Sequence, residues 1–296
     1  MKEPGNTPCI RLPEWEEQLG LKNVWVKDES ANPTGTYKDR RSAAIMQHAM
    51  HHGIHKLVLI SAGNAAYSLA KYAKGTGIEV HVVVDHNLTA GIKDVLRRIC
   101  TQVVEIDLSR KLLQSEDLIT MARASPHEKI IDVSNGYHEA YMAIVKELKN
   151  DLPWQPDSIA MPFGGGEALV GVAMGVMEAQ WNYRTIVCGF KNNQSERLRS
   201  TVIFKPYRDF VAAEKEDLPT PVFDMTTEES PAEVQAHYVP RNIRAEEAGS
   251  YTFQGVYLFA LADTKRPDEK SRFGENIVIL NSGHGKVLEE AESENT

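Results

Sequence analysis

Long apolar runs are missing from this chain. The longest, such as residues 57–60 and 82–84, are strand-sized and far too short to span a bilayer. The opening residues, 1–8, are polar and carry no apolar stretch of a secretory leader. Neither a membrane association nor export is therefore expected. Cysteine is scarce as well. Cys9, Cys100 and Cys188 are odd in number and far apart, with no C-x-x-C pair. That pattern argues against a disulfide framework and a zinc knuckle, so no metal is expected and a cytoplasmic location is. Positive charge is in deficit: 33 Lys and Arg stand against 41 Asp and Glu, for a net charge of -8. A general nucleic-acid partner would need a basic face, and none is expected here. Two ligand fingerprints are also absent. The chain has neither G-x-G-x-x-G nor G-x-x-x-x-G-K-[ST], which disfavours a dinucleotide fold and a P-loop ATPase.

What is present is an alternation of two periods. The 296 residues suffice for one large domain or two modest ones. Short runs rich in Val and Ile predict strands at 24–27, 57–60, 80–84, 103–106, 130–133, 158–161, 186–190 and 277–280. Helix-length stretches lie between them. Residues 64–74 place Leu69, Ala70 and Ala73 on one face, and 138–149 group Tyr141, Ile144, Val145 and Leu148. Residues 167–181, rich in Ala, Val and Met, predict a helix buried on most sides. Strand–helix–strand repetition implies an α/β fold with parallel sheets covered by helices. The stretch 191–245 is polar and proline-containing, and reads as irregular structure with one helix near 228–237. Beyond Lys286 the chain turns acidic, and a frayed tail is expected.

In open parallel sheets ligands sit beyond the carboxyl ends of strands. Four segments here take that position. The first is Asn32-Pro33-Thr34-Gly35-Thr36-Tyr37-Lys38-Asp39-Arg40. Gly35 allows a tight turn and Lys38 begins the next helix. The positive end of a helix disfavours a protonated lysine, and a lysine that must react as a neutral amine suits that place. A solvated surface lysine is the competing reading. The second is Ser61-Ala62-Gly63-Asn64-Ala65-Ala66, which offers backbone amides and two polar side chains to a carboxylate. A plain helix cap would use the same residue types. The third, Pro162-Phe163-Gly164-Gly165-Gly166-Glu167-Ala168, opens a helix with three glycines, a nest of N–H groups suited to phosphate. The fourth, Asn281-Ser282-Gly283-His284-Gly285, offers a neutral hydroxyl, although a simple turn near the chain end would look similar.

Taken in order, these segments resemble one family. Gly5-Asn6-Thr7-Pro8, then N-P-T-G-T-Y-K-D-R, S-A-G-N-A-A, the triple glycine and N-S-G-H-G are similar to the tryptophan-synthase-β-like, fold type II pyridoxal-phosphate enzymes. The branch most resembled is threonine synthase. Residues 243–250, I-R-A-E-E-A-G-S, resemble the stretch before that family's penultimate helix. The resemblance runs from about Gly5 to Lys286 and is weakest between Lys191 and Arg241.

This resemblance implies a shortened fold type II enzyme with two α/β domains. A larger cofactor-binding domain would comprise 1–47 and 135–296, and a smaller mobile one 48–134. It implies pyridoxal 5'-phosphate as cofactor, held by Lys38 as a Schiff base, and Lys38 as the base that moves the substrate's α proton. Asn64 would meet the cofactor's phenolic oxygen. The amides of Gly164, Gly165, Gly166, Glu167 and Ala168 would hold its phosphate, and Ser282 would meet its pyridine nitrogen. A hydroxyl in that place does not keep the nitrogen protonated as an aspartate would, so a weaker electron sink is expected. Ser61, with the amides near Ala62 and Gly63 and with Asn64, would bind the substrate carboxylate. An amino-acid substrate and a homodimer are implied too.

Two residues depart from the family pattern. Ala62 stands where a serine or threonine is frequent, and Glu167 where the glycine loop usually has a small residue. The expected activity is a β/γ-elimination or replacement of the threonine-synthase type, from O-phosphohomoserine to threonine and phosphate. The alternatives are a serine/threonine ammonia-lyase, a cysteine-synthase-type replacement enzyme, and a non-catalytic regulatory homologue that binds the cofactor.

Overall fold

The computed structural model describes residues 2–110, 113–192, 220–265, 271 and 273–292. The chain runs β1 (Cys9–Arg11), α1 (Pro13–Leu19), β2 (Asn23–Asp28), α2 (Lys38–His52), β3 (Lys56–Ile60), α3 (Asn64–Ala73), β4 (Glu79–Asp85), α4 (Ala90–Ile99) and β5 (Gln102–Ile106). It continues through α5 (Ser115–Ala122), β6 (Ile130–Asp132), α6 (Met142–Asp151), β7 (Ser158–Pro162), α7 (Glu167–Glu178) and β8 (Ile186–Lys191). After an interval come β9 (Val222–Asp224), α8 (Pro231–Tyr238), α9 (Glu247–Thr264), β10 (Asn276–Asn281) and α10 (Lys286–Glu292).

These elements form two compact units. The first, Pro33–Tyr137 with the stretch from Gly285 onward, holds a four-stranded sheet in the order β5-β4-β3-β6, all parallel. Alternation along β3 explains why that run is apolar throughout. Leu57 and Leu59 join a core with Ile45, Leu69, Val82 and Leu96. Val58, pointing the other way, joins Val83, Leu113 and Leu118. Burying such side chains contributes roughly 1.5–3 kcal/mol each.

The second unit, Gly5–Asn32 with His138–His284, holds a six-stranded sheet in the order β1-β2-β10-β7-β8-β9. Only the β1–β2 pair is antiparallel. Val24, Val26, Ala160, Phe190, Ile277 and Ile279 share a core with Phe253 and Val256 of α9. Close packing also fixes α7. A side-chain carbon on Gly171 would lie 2.0 Å from the carbonyl oxygen of His138, so only glycine lets the helix approach that backbone.

All eight predicted strands are present, each within a residue or so of its expected ends. The expected 138–149 helix opens as a 3-10 turn, His138–Tyr141, before α6. The helix expected over 167–181 stops at Glu178, and the one near 228–237 is Pro231–Tyr238, opened by a Ser230–Glu233 capping box. Of the stretch read as irregular, 193–219 lies outside the described residues, and 222–224 adds the edge strand β9.

One expectation needs revision. The tail beyond Lys286 is not frayed over its first part. It forms α10, with Val287 fully buried in the first unit's core and Glu290 accepting hydrogen bonds from Tyr67 and Lys71. The tail's last residues, 293–296, lie outside those described. By contacts, the first compact unit comprises Met1–Pro4, Pro33–Tyr137 and Gly285–Thr296, a span that contains the expected 48–134. Residues 33–47 join the first unit because α2 packs along α3, and residues from 285 join it through α10.

Candidate active site

Candidate residues lie in both units. In the first, the chain turns at Gly35, whose φ of 78° is a left-handed conformation that favours glycine. It then enters α2 through Tyr37. Thr36 accepts from the amides of Lys38, through its hydroxyl at 3.3 Å, and of Asp39, through its carbonyl at 3.2 Å. Lys38 is thus the first residue of a helix, half-buried, with its Nζ 4.8 Å from the centroid of the Tyr37 ring. Lys286 Nζ donates to the Pro33 carbonyl at 3.0 Å and holds the start of the loop.

Asp39 anchors this arrangement. Its carboxylate is fully buried and accepts from Thr34 N at 2.6 Å, from the Thr34 hydroxyl, and from Ser68 Oγ at 2.6 Å. Burial pushes its carboxyl above the usual range, opposed by the hydrogen bonds from Ser68 and Thr34. Arg41, also buried, donates to the Val133 carbonyl.

Directly after β3, Ser61 Oγ accepts the amides of Gly63 and Ala66, each at 3.2 Å. Ser61 therefore does act as a helix cap. A hydroxyl that accepts two amides still has a proton to donate, so capping and carboxylate binding are compatible in this one residue. Gly63, at φ 142°, precedes Asn64, the first residue of α3.

In the second unit, β7 and β10 are adjacent parallel strands, so their carboxyl ends lie side by side. Beyond β7, Gly164, Gly165 and Gly166 lead into α7, with Gly166 at φ 93°. The first amides of any helix lack intrahelical acceptors, and here they belong to the buried Glu167 and Ala168. Beyond β10, Ser282 is buried and its Oγ donates to Glu246 Oε1 at 3.2 Å. Glu246 N in turn donates to the Gly283 carbonyl at 2.8 Å. Asn281 donates through Nδ2 to Asp28 Oδ1 at 2.8 Å and to the Arg244 carbonyl at 2.7 Å. Asp39 and Glu246 did not stand out as site residues in the sequence. Asp39 lay inside a motif chosen for its lysine, and Glu246 inside I-R-A-E-E-A-G-S, with its partner 36 positions away.

A family model described as pyridoxal-phosphate dependent enzyme matches residues 1–234. The chain belongs to this family. Its cofactor is pyridoxal 5'-phosphate. The chain is 28% identical over 183 residues to the threonine synthase of Methanocaldococcus jannaschii, covering 59% of this chain and 43% of that one. It is also 28% identical over 190 residues to a serine dehydratase-like protein of Rattus norvegicus, covering 62% and 56%. The chain thus spans about half the length of the curated relatives it matches. Among solved structures, a fungal L-serine ammonia-lyase from Rhizomucor miehei aligns over the whole of both chains with a TM-score of 0.70 and 19% identity. A cysteine synthase from Entamoeba histolytica aligns over 99% of this chain and 89% of its own, with a TM-score of 0.72 and 16% identity. These alignments show the fold of this pyridoxal-phosphate enzyme.

The residues present fit the cofactor. The triple-glycine turn offers side-chain-free backbone at a helix N-terminus, where a phosphate dianion is favoured. Around Ser282 the surroundings are small and polar. A side-chain carbon on Gly249 would lie 3.1 Å from Asn281 Oδ1 and 3.7 Å from Ser282 Oγ. Asn281 Oδ1 is buried and has no hydrogen-bond partner among the described residues. Among those residues no cluster of His, Cys, Asp and Glu could hold a metal ion, and no helix is long and apolar enough to cross a membrane.

Proposed function

We propose that this enzyme expels a leaving group from the β or γ carbon of an amino acid. The observation that carries the reading is the pairing of α2 and α3 through Asp39 and Ser68. It packs the helix that starts with Lys38 against the helix that starts with Asn64. A reactive amine and a turn of amides for a carboxylate are what an α-amino-acid substrate calls for.

When bound, the cofactor supplies an electron-withdrawing ring that stabilises negative charge at the substrate's α carbon. Lys38 would hold the cofactor, and its side-chain amine would take the substrate's α proton. The Ser61 hydroxyl and the amides of Ala62 and Gly63 hold the substrate carboxylate, and so orient the α C–H bond towards that amine. Asn64 donates to the cofactor's phenolic oxygen. The amides of Gly164, Gly165, Gly166, Glu167 and Ala168 hold the phosphate, and Ser282 faces the pyridine nitrogen. The enzyme works as a homodimer in the cytoplasm.

O-phosphohomoserine is the first substrate, with threonine and phosphate as products. The threonine synthase relatives and the N-P-T-G-T-Y-K-D-R and N-S-G-H-G motifs support that choice. A second reading, a serine or threonine ammonia-lyase, is supported by the serine dehydratase relatives. A panel assay that follows phosphate, threonine and 2-oxo acid separately tests both. Phosphate with threonine supports the first. A 2-oxo acid with ammonia supports the second and overturns the first. No product from any substrate, with cofactor bound at Lys38, overturns both.

A further inference from the structure

Lys38 follows a loop that needs holding. Gly35, at φ 78°, leaves residues 33–37 free to take several shapes, and Tyr37, the residue before α2, makes no side-chain bond to the helix. Helix α10 supplies the hold. Val287 is fully buried in the core that contains Leu69, and Glu290 accepts from Tyr67 and, at 3.3 Å, from Lys71, so α10 is fixed to α3. Lys286 is the first residue of α10. Its Nζ donates to the Pro33 carbonyl at 3.0 Å, across 253 positions of sequence. We propose that Lys286 is a positioning residue for Lys38, its ammonium holding the loop so that the reactive amine keeps one orientation. The proposal rests on the reading that Lys38 carries the cofactor.

The charge of Lys286 acts at a second point. Asp39, the residue after Lys38, accepts from the Thr34 amide, the Thr34 hydroxyl and Ser68 Oγ, and uses both carboxylate oxygens to do so. The ionised form serves all three donors, while burial opposes it. The positive charge of Lys286 favours that ionised form. Pro33 and Thr34 are consecutive, so the ammonium grips one residue of the loop directly and steadies the acceptor of the next. Only Gly35, Thr36 and Tyr37 then separate the grip from Lys38. Proton transfer needs the amine within near-attack range, and a misplacement of about 1 Å costs about a hundredfold in rate. A flexible lysine stem does not hold such a range unless the backbone that carries it is fixed. Lys286 acts through Pro33 and Asp39, which makes it a positioning residue and not a catalytic one.

The test compares holoenzyme reconstituted with pyridoxal 5'-phosphate in wild type, Lys286→Met, Lys286→Arg and Lys286→Gln. The free cofactor is achiral, so circular dichroism in its visible band reports how asymmetrically the lysine-bound ring is held. Borohydride reduction with peptide mass spectrometry identifies the lysine that carries it. Stopped-flow absorbance gives the rate at which excess L-serine displaces that lysine. Lys286→Met, which keeps the stem and removes the ammonium, should leave the adduct on Lys38, weaken the visible dichroism per unit absorbance and slow the displacement about tenfold. Lys286→Arg, which keeps a charged donor, should restore both towards wild type. Wild-type dichroism and displacement in Lys286→Met overturn the proposal whatever urea unfolding shows, because a purely structural contact changes stability alone. Equal losses in Lys286→Met and Lys286→Arg overturn it too, since the charged donor is then not the cause. If L-serine displaces no lysine in wild type, the dichroism alone decides. A wild-type adduct on another lysine overturns the Lys38 reading itself, and the proposal falls with it. Should Lys286→Met fail to fold, the neutral and shorter Lys286→Gln must show the same losses, and wild-type behaviour there overturns the proposal.

Discussion

Asp39 accepts a hydrogen bond from Ser68 Oγ at 2.6 Å, and this contact ties the first turn of α2 to the second turn of α3. The same carboxylate accepts from the Thr34 amide and hydroxyl, so one buried group sets the loop before Lys38 and the helix after Asn64. Replacing Asp39 with alanine leaves the buried amide and hydroxyl of Thr34 without this acceptor, while Ser68 Oγ keeps Ser42 Oγ at 2.8 Å. Each such loss costs about 1–3 kcal/mol, so Asp39→Ala should lower the unfolding free energy by about 2–6 kcal/mol. Urea denaturation measures it, and a loss under about 0.5 kcal/mol, the range of ordinary surface changes, would deny Asp39 this role.

The same group gives a pH dependence of defined sign. Burial raises the Asp39 carboxyl above its ordinary 3.8, against hydrogen bonds from Ser68 and Thr34 that lower it. The folded state therefore binds this proton more tightly than the unfolded chain. The resulting stability is complete below pH 3.8 and is lost as the pH rises through the higher folded value. Wild type should thus gain stability relative to Asp39→Asn as the pH falls towards 4. A difference between the two proteins that is flat with pH, or that runs the other way, would contradict the assignment.

Gly165 gives a test of the phosphate site. Gly165→Asp adds bulk and a negative charge at the N-terminus of α7, in place of bare backbone. Cofactor affinity should fall at least about tenfold, which corresponds to about 1.4 kcal/mol. Circular dichroism should show the fold retained, since the residue lies in a loop. Fluorescence titration with pyridoxal 5'-phosphate reads the affinity, and an unchanged value would make the glycine turn purely structural.

How much of this was legible in the sequence depends on the range of the interactions involved. The eight strands could be read because buried parallel strands are continuous apolar runs, as 57–60 shows. Edge strands β1 and β9 could not, since three residues such as Cys9–Arg11 carry no period. Helix α10 was hidden for a related reason. The buried side chain of Val287 and the distant partner of Glu290 hold it in place amid acidic residues. On the site side, glycine and cap residues mark loops locally, and Ser61, Gly164 and Ser282 do follow strands while Lys38 opens a helix. The link from Ser282 to Glu246 spans 36 positions, and only the fold creates it.

The three thiols should be silent in the native protein. Burial is the largest cause for each, and it pushes Cys9 and Cys100 up to about 12 and Cys188 higher still. Since the thiolate is the reactive form, Ellman's reagent at pH 8 should react slowly or not at all with folded protein. In urea it should report all three cysteines of the chain. Rapid reaction of one thiol in the native state would show that its surroundings are more open than the structure has them.

The central claim is that Lys38 carries the cofactor, and borohydride reduction tests it most directly. Reduction of the holoenzyme fixes the cofactor to the lysine that holds it, and peptide mass spectrometry locates the adduct. The account predicts a single modified peptide with the added mass on Lys38, and loss of the adduct in Lys38→Ala. An adduct on another lysine, or none, would contradict it.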